Sequence, residues 1–125
     1  MKKIISTDKA PAAVGPYSQA VLANGILFIS GQLPLDPATG MLCGGPITKQ
    51  TRQVMENIGA ILEEAGMDWS HVVKVSIFLD KMLDFSAVNE TYAEFFTENC
   101  PARSCFEVSN LPKGADIEIE VIAVK

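Results

Sequence analysis

A chain of 125 residues, 48% hydrophobic and 20% charged, is long enough for one buried core and too apolar to remain disordered. Its formal net charge of −5 argues against a nucleic-acid binder, which ordinarily presents a basic patch. No apolar run reaches the roughly 18 to 20 residues of a membrane helix. The opening MKKIISTDKAP holds too short an apolar stretch for a secretory signal, and Cys43, Cys100 and Cys105 form neither a CxxC pair nor an even framework. The expectation is one domain over residues 1–125, cytoplasmic and reduced, without membrane contact and with nucleic acid disfavoured as a partner.

KKIIS reads as a short first strand, followed by the turn-rich TDKAPAAVGP. QAVLANGILFISGQ holds two apolar runs joined by Asn24-Gly25, a dipeptide suited to the two positive φ angles of a type I′ hairpin. LPLDPATGMLCGGP is dense in proline and glycine and reads as a loop with a brief strand at Met41–Cys43. A helix is predicted from Thr48 to Ala65, with Val54, Ile58, Ile61, Leu62 and Ala65 on one face and Gly66 at the C-terminal cap. In HVVKVSIFLD, the alternation of Val73, Val75, Ile77 and Leu79 predicts a strand. A second helix is predicted from Asp84, as N-cap, through Thr97, with Phe85, Val88, Tyr92, Phe95 and Phe96 as its apolar stripe. ARSCFEV and, after the turn NLPKGA, DIEIEVIAV close the chain as strands.

Two amphipathic helices and one sheet predict a two-layer α+β domain with both helices on one face. In the last strand Ile117, Ile119 and Val121 point one way, and Asp116, Glu118 and Glu120 the other. Both faces of the hairpin are apolar, so the sheet face without helices is a candidate for packing against other copies.

Arg103 is the unexplained charge, flanked by Pro101, Ala102, Ser104, Cys105 and Phe106. Composition favours a structural pairing with a carboxylate such as Glu118; the second reading is a forked receptor for a carboxylate or phosphate. Glu118 and Glu120 are ordinary solvated carboxylates on a free strand, but proton carriers or water-orienting bases if that face is covered. His71, the single histidine, cannot build a metal site by itself and reads as a surface or capping residue. No GxSxG elbow or glycine-rich phosphate loop is present, and Cys105 reads as a packing cysteine. Tyr17, Ser30 and Asn89 sit at element boundaries, where turn or cap hydrogen bonds would account for each.

The segments APAAVGPYSQAV, ILFISGQLPLDPATG, VNETYAEFF and PARSCFEVSNLPKGADIEIEVIAV closely resemble the Rid family, also called YjgF or L-PSP. Within it they are most similar to the imine/enamine deaminases of reactive intermediates. The likeness covers essentially the whole chain and is most specific at PARS followed by LPK and IEIE. It implies a chorismate-mutase-like α+β fold assembled as a homotrimer, with sheets packed into a barrel-like core, helices outside and three clefts between subunits. It implies hydrolysis of 2-aminoacrylate and related enamines or imines, released by pyridoxal-phosphate dehydratases, to 2-oxo acids and ammonia, without metal or organic cofactor.

Residue by residue, the resemblance gives Arg103 the grip on a substrate carboxylate and Glu118 the hydrolytic water. Cys105 would contribute backbone polar groups to the pocket. Tyr17, Ser30, Gly31 and Asn89 would line it, with Tyr17 reaching across a subunit interface. A ribonuclease or translation-inhibitor activity is also attached to the family, and a non-catalytic binder of small 2-oxo or amino acids would use the same arginine. One departure stands out. Between FFTEN and PARS only Cys100 intervenes, a shorter loop than the family pattern leads one to expect.

Overall fold

The computed structural model describes residues 1–125. In chain order the elements are β1 (Lys3–Ile5), β2 (Ala20–Ala23), β3 (Ile26–Gln32), α1 (Ile47–Glu64), β4 (Val72–Leu79), α2 (Phe85–Tyr92), β5 (Ala102–Glu107) and β6 (Ile117–Val124). The strands form one sheet in the order β1-β2-β3-β6-β4-β5. Only β4 and β5 run parallel; every other neighbouring pair is antiparallel. A parallel pair needs a crossover, and α2 supplies it. The last strand therefore fills the middle of the sheet, between β3 and β4.

Val54, Ile58 and Ile61 of α1 and Val88 of α2 pack on Leu27, Ile77, Ile117 and Ile119 of the strands, all fully buried. Both helices lie on this one side, giving the two-layer α+β architecture expected from the pattern. No helix is long and apolar enough to cross a membrane.

Local chemistry explains most element ends. Asn24 and Gly25 adopt φ of 52° and 76°, and Ala23 pairs with Ile26 around this two-residue turn. At the end of α1, Gly66 takes φ 74°, its N–H reaches Glu63 O at 2.9 Å, and the Met67 N–H reaches Leu62 O at 2.9 Å. These two bonds are a Schellman cap, as the placement of Gly66 anticipates.

Several expectations are corrected. The strand register shifts between Val72 and Lys74, so Val72 is buried and Val73 is 46% exposed. The bulge inserts a residue and flips the alternation by one, replacing Val73 with Val72 on the core face. The Met41–Cys43 strand is a single bridge between Leu35 and Leu42. Asp84 makes no side-chain cap, because it already belongs to a 3-10 turn, Met82–Asp84, that leads into α2. The second helix stops at Tyr92 instead of Thr97. Beyond it the Glu94 and Phe95 N–H groups bond three residues back, and Phe95 and Phe96 turn edge-on to Trp69 at 5.4 and 5.2 Å. Packing on one indole thus replaces further helix. Asp116 leaves the face of Glu118 and Glu120 to accept from Gln50 Nε2 of α1 at 3.0 Å.

The face without helices carries an apolar row in cross-strand register, Ile4–Val21–Phe28–Ile122. Ile4 and Phe28 are 52% and 46% exposed, and Phe106 of β5 is also open.

Candidate functional site

Arg103 lies on β5 in register with Val75 of β4, so its side chain leaves on the helix-covered side. There it meets α2. Its Nη1 donates to Asn89 Oδ1 at 2.7 Å, and its guanidinium carbon stands 4.8 Å from the Tyr92 ring centre and 5.5 Å from that of Phe85. Phe85, Asn89 and Tyr92 follow a helical i, i+4, i+7 spacing, so one face of α2 holds the guanidinium. No carboxylate pairs with it: the ion pairs of the chain are Arg52–Glu94 and His71–Asp68. The sequence-based pairing with Glu118 is not formed.

Glu118 lies on β6 in register with Phe78, pointing away from the face that buries Ile117 and Ile119. It is half-buried, and no N–H or O–H of the chain donates to its carboxylate. Burial first, and the neighbouring Glu120 second, push its carboxyl above the ordinary glutamate value of 4.5. The carboxylate rests directly on the backbone of Gly31. A Cβ built there would strike Glu118 Oε2 and stand 2.8 Å from its Cδ. Glycine at 31 is thus a packing requirement of Glu118.

Tyr17, Ser30, Gly31 and Glu118 line one groove of about 810 Å³, closed by Leu35 and Lys113 from flanking loops. Ser30 Oγ donates to Ser18 O at 2.6 Å and Ser30 N to Gln19 O at 3.0 Å, tying the Tyr17 segment to β3. Buried Gln19 donates from Nε2 to Thr7 O and Pro11 O and accepts from Thr7 N, which fixes the arm below Tyr17. Buried Asn57 of α1 donates to Leu33 O and Leu35 O at 3.2 and 3.0 Å, anchoring the opposite wall. Sequence reasoning missed Gln19 and Asn57. The available signal for Asn57 was an amide beside Ile58 on an otherwise apolar helix face.

Asn89 and Arg103 line a different cavity, of about 360 Å³, together with Tyr92, Phe96, Cys100 and Pro101. The Tyr92 hydroxyl is buried without a partner, and burial raises its pKa to about 12 against the opposing pull of Arg103. Cys105 shares the register of Ile77 and packs half-buried against the core. Burial pushes its thiol up, with Arg103 opposing, which suits a packing residue better than a nucleophile. β5 is an edge strand, so half of its backbone groups, in the stretch containing Cys105, have no strand to pair with.

One chain therefore gathers six of the seven sequence-derived residues into two groups, Tyr17, Ser30, Gly31 and Glu118 in one and Asn89 and Arg103 in the other, and leaves Cys105 outside both. Strand alternation puts Arg103 and Glu118 on opposite faces, and β4 runs between their strands. His71 is a cap, its Nδ1 accepting from Asp68 N at 3.0 Å. No three His, Cys, Asp or Glu side chains gather where they could hold a metal ion.

The Endoribonuclease L-PSP family model matches residues 7–125. The 2-iminobutanoate/2-iminopropanoate deaminase of Capra hircus is 50% identical over 125 residues, spanning 100% of this chain and 91% of the goat protein. The structure of a putative endoribonuclease from Thermotoga maritima superposes with a TM-score of 0.98 at 50% identity, covering 100% of this chain and 98% of that one. E. coli TdcF, solved with bound serine, superposes with a TM-score of 0.94 at 41% identity, over 98% of each chain.

Proposed function

Because the chain belongs to the endoribonuclease L-PSP family, the group its sequence resembles under the names Rid and YjgF, we propose that it is a cytoplasmic hydrolase of small enamines and imines bearing a carboxylate. The observation that carries this reading is Arg103. Its guanidinium is held by Asn89 and two aromatic rings, yet no carboxylate of its own chain pairs with it. A fixed, unpaired fork is a receptor for an external carboxylate. A relative at 50% identity named as an imine deaminase, and a neighbour holding serine, support the same class of ligand.

The chemistry follows from the two groups. A 2-aminoacrylate first moves a proton to its methylene carbon and becomes an imine. Water then adds to the C=N carbon, and ammonia leaves to give the 2-oxo acid. Glu118 as carboxylate accepts a proton from that water, and its raised pKa makes it a stronger base than an exposed glutamate. Arg103 keeps the substrate carboxylate fixed, so attack takes place within a positioned pair.

Arg103 and Glu118 act on one substrate only if a second copy brings its groove to the arginine. We infer a homotrimer with a chorismate-mutase-like barrel core, in which the open apolar faces pack inward and each cleft takes Arg103 and Asn89 from one subunit and Tyr17, Ser30, Gly31 and Glu118 from the next. The ribonuclease reading has less support: the one histidine is engaged as a cap, and the net charge is −5. The test is pyruvate release from 2-aminoacrylate generated in place by a serine dehydratase. Arg103→Ala is expected to lower kcat/KM by about a hundredfold, the scale of one lost charge-assisted contact. Wild-type rates in that variant would sink the carboxylate clamp, and ligand binding without any turnover would favour a non-catalytic binder.

A further inference from the structure

The loop from Leu33 to Pro46 joins β3 to α1 without a strand or helix of its own, and its first residues line the Glu118 groove. A connection of that length in a compact domain keeps one shape only if something outside it holds it. The holding groups come from one face of α1, where Gln50, Gln53 and Asn57 follow a helical i, i+3, i+7 spacing. Buried Asn57 donates from Nδ2 to Leu33 O at 3.2 Å and to Leu35 O at 3.0 Å. Its Oδ1 accepts from Gln53 Nε2 at 2.9 Å, so both N–H groups and the oxygen of the amide are engaged. Buried Gln50 donates from Nε2 to Gly45 O at 2.9 Å and holds the other end of the loop. Buried amides satisfied in this way fix the backbone they bond.

The loop contributes Leu33, Leu35 and Pro37 to the groove, and the arm before β2 contributes Val14 and Tyr17. At about 810 Å³ the groove falls in the size class that holds drug-sized ligands, and 2-aminoacrylate is far smaller than these. On the deaminase reading the substrate carboxylate goes to Arg103 and the attacking water to Glu118. The substituent on the imine carbon is the part left to meet an apolar wall.

We propose that Asn57 is a positioning residue for side-chain discrimination: through Leu33 and Leu35 it fixes the wall on which the substituent of the imine carbon rests. The proposal rests on the deaminase reading and deepens it. Asn57 touches neither substrate nor water. It acts by holding two backbone carbonyls, and so it serves the binding of long side chains and not the hydrolytic step. A wall free to move loses contact with a large substituent and hardly affects a methyl group. Each methylene held in an apolar subsite is worth about tenfold or more in discrimination.

The experiment uses the imines that a D-amino-acid oxidase forms from D-alanine and D-leucine. The two share every atom of the reacting centre and differ in a methyl against an isobutyl group. Catalase removes the peroxide, and hydrolysis is followed as 2-oxo acid formed above the uncatalysed rate. Asn57→Leu keeps the side-chain size and removes both donors. It is expected to raise KM for the leucine-derived imine by about tenfold, with kcat and the alanine-derived KM within about twofold of wild type. Val54→Ala weakens the core side of the same helix without touching the loop, and it should leave the ratio between the two imines unchanged. Hydrogen exchange gives a readout that needs no turnover. The Cys43 N–H, bonded to Pro34 O between the two held carbonyls, should exchange at least about tenfold faster in Asn57→Leu and not in Val54→Ala. Half-buried Gln53→Leu removes only the bond that orients the Asn57 amide. It should act in the same direction more weakly, and it carries the test if Asn57→Leu does not fold.

Equal effects on the two imines, in KM or in kcat, overturn the proposal, as do unchanged kinetics in a folded variant. Hydrolysis of neither imine by the wild type counts against the deaminase reading itself. Exchange at Cys43 then still shows whether Asn57 holds the wall, and an unchanged rate overturns that.

Discussion

At Glu118, burial and the adjacent Glu120 hold the carboxyl above its ordinary value of 4.5. The charged form is therefore penalised in the folded state. The stability this group permits is fully present below the ordinary value and declines as pH rises through the raised one. Glu118→Gln removes the penalty. It is expected to melt above wild type at pH 7, with the gap closing as pH falls towards 4.5, while deamination is lost. A melting difference independent of pH would show that burial of this carboxylate is not the cause. Gly31→Ala tests the same contact from the other side. The added methyl meets the end of a flexible side chain, so Glu118 can swing away. The expected result is a large loss of kcat with little change in melting temperature; a cooperative loss of stability would place the strain in the backbone instead. The motifs around Arg103 and Glu118 mark both as candidates in the sequence. Their placement on opposite faces was not legible there, because it depends on β4 lying between β5 and β6, and strand order is a long-range property.

Element boundaries follow the same division between local and distant causes. The hairpin at Asn24-Gly25 and the cap at Gly66 were readable because each is fixed by the φ angle of one or two residues. Gly66→Ala forces a Cβ into the left-handed region and is expected to cost about 1–2 kcal/mol, read as a lower urea midpoint with unchanged slope. An unchanged midpoint would mean that the cap contributes nothing. The bulge at Val73 was not readable, since a run of valines satisfies either parity and only pairing with β6 selects Val72 for the core. The early end of α2 was hidden for a similar reason. Phe95 and Phe96 continue a helical stripe on paper, and their edge contacts with Trp69, distant in sequence, draw them out of it.

For the whole molecule, the two-layer fold was visible in the element order, and the uncovered face was visible in the apolar hairpin. The proposed sharing of sites between copies rests on that face, with Ile4 and Phe28 open, and on the division of the candidate site between two cavities. If each site joins Arg103 of one subunit to Glu118 of the next, Arg103→Ala and Glu118→Gln are each strongly impaired alone, yet the two complement each other. The most direct measurement is deamination by Arg103→Ala and Glu118→Gln subunits unfolded together and refolded as a mixture. Random assembly of equal amounts leaves about a quarter of the interfaces with both native residues, so the mixture should recover about a quarter of wild-type activity. A mixture as inactive as its two components, although co-assembled, would contradict a site shared between subunits.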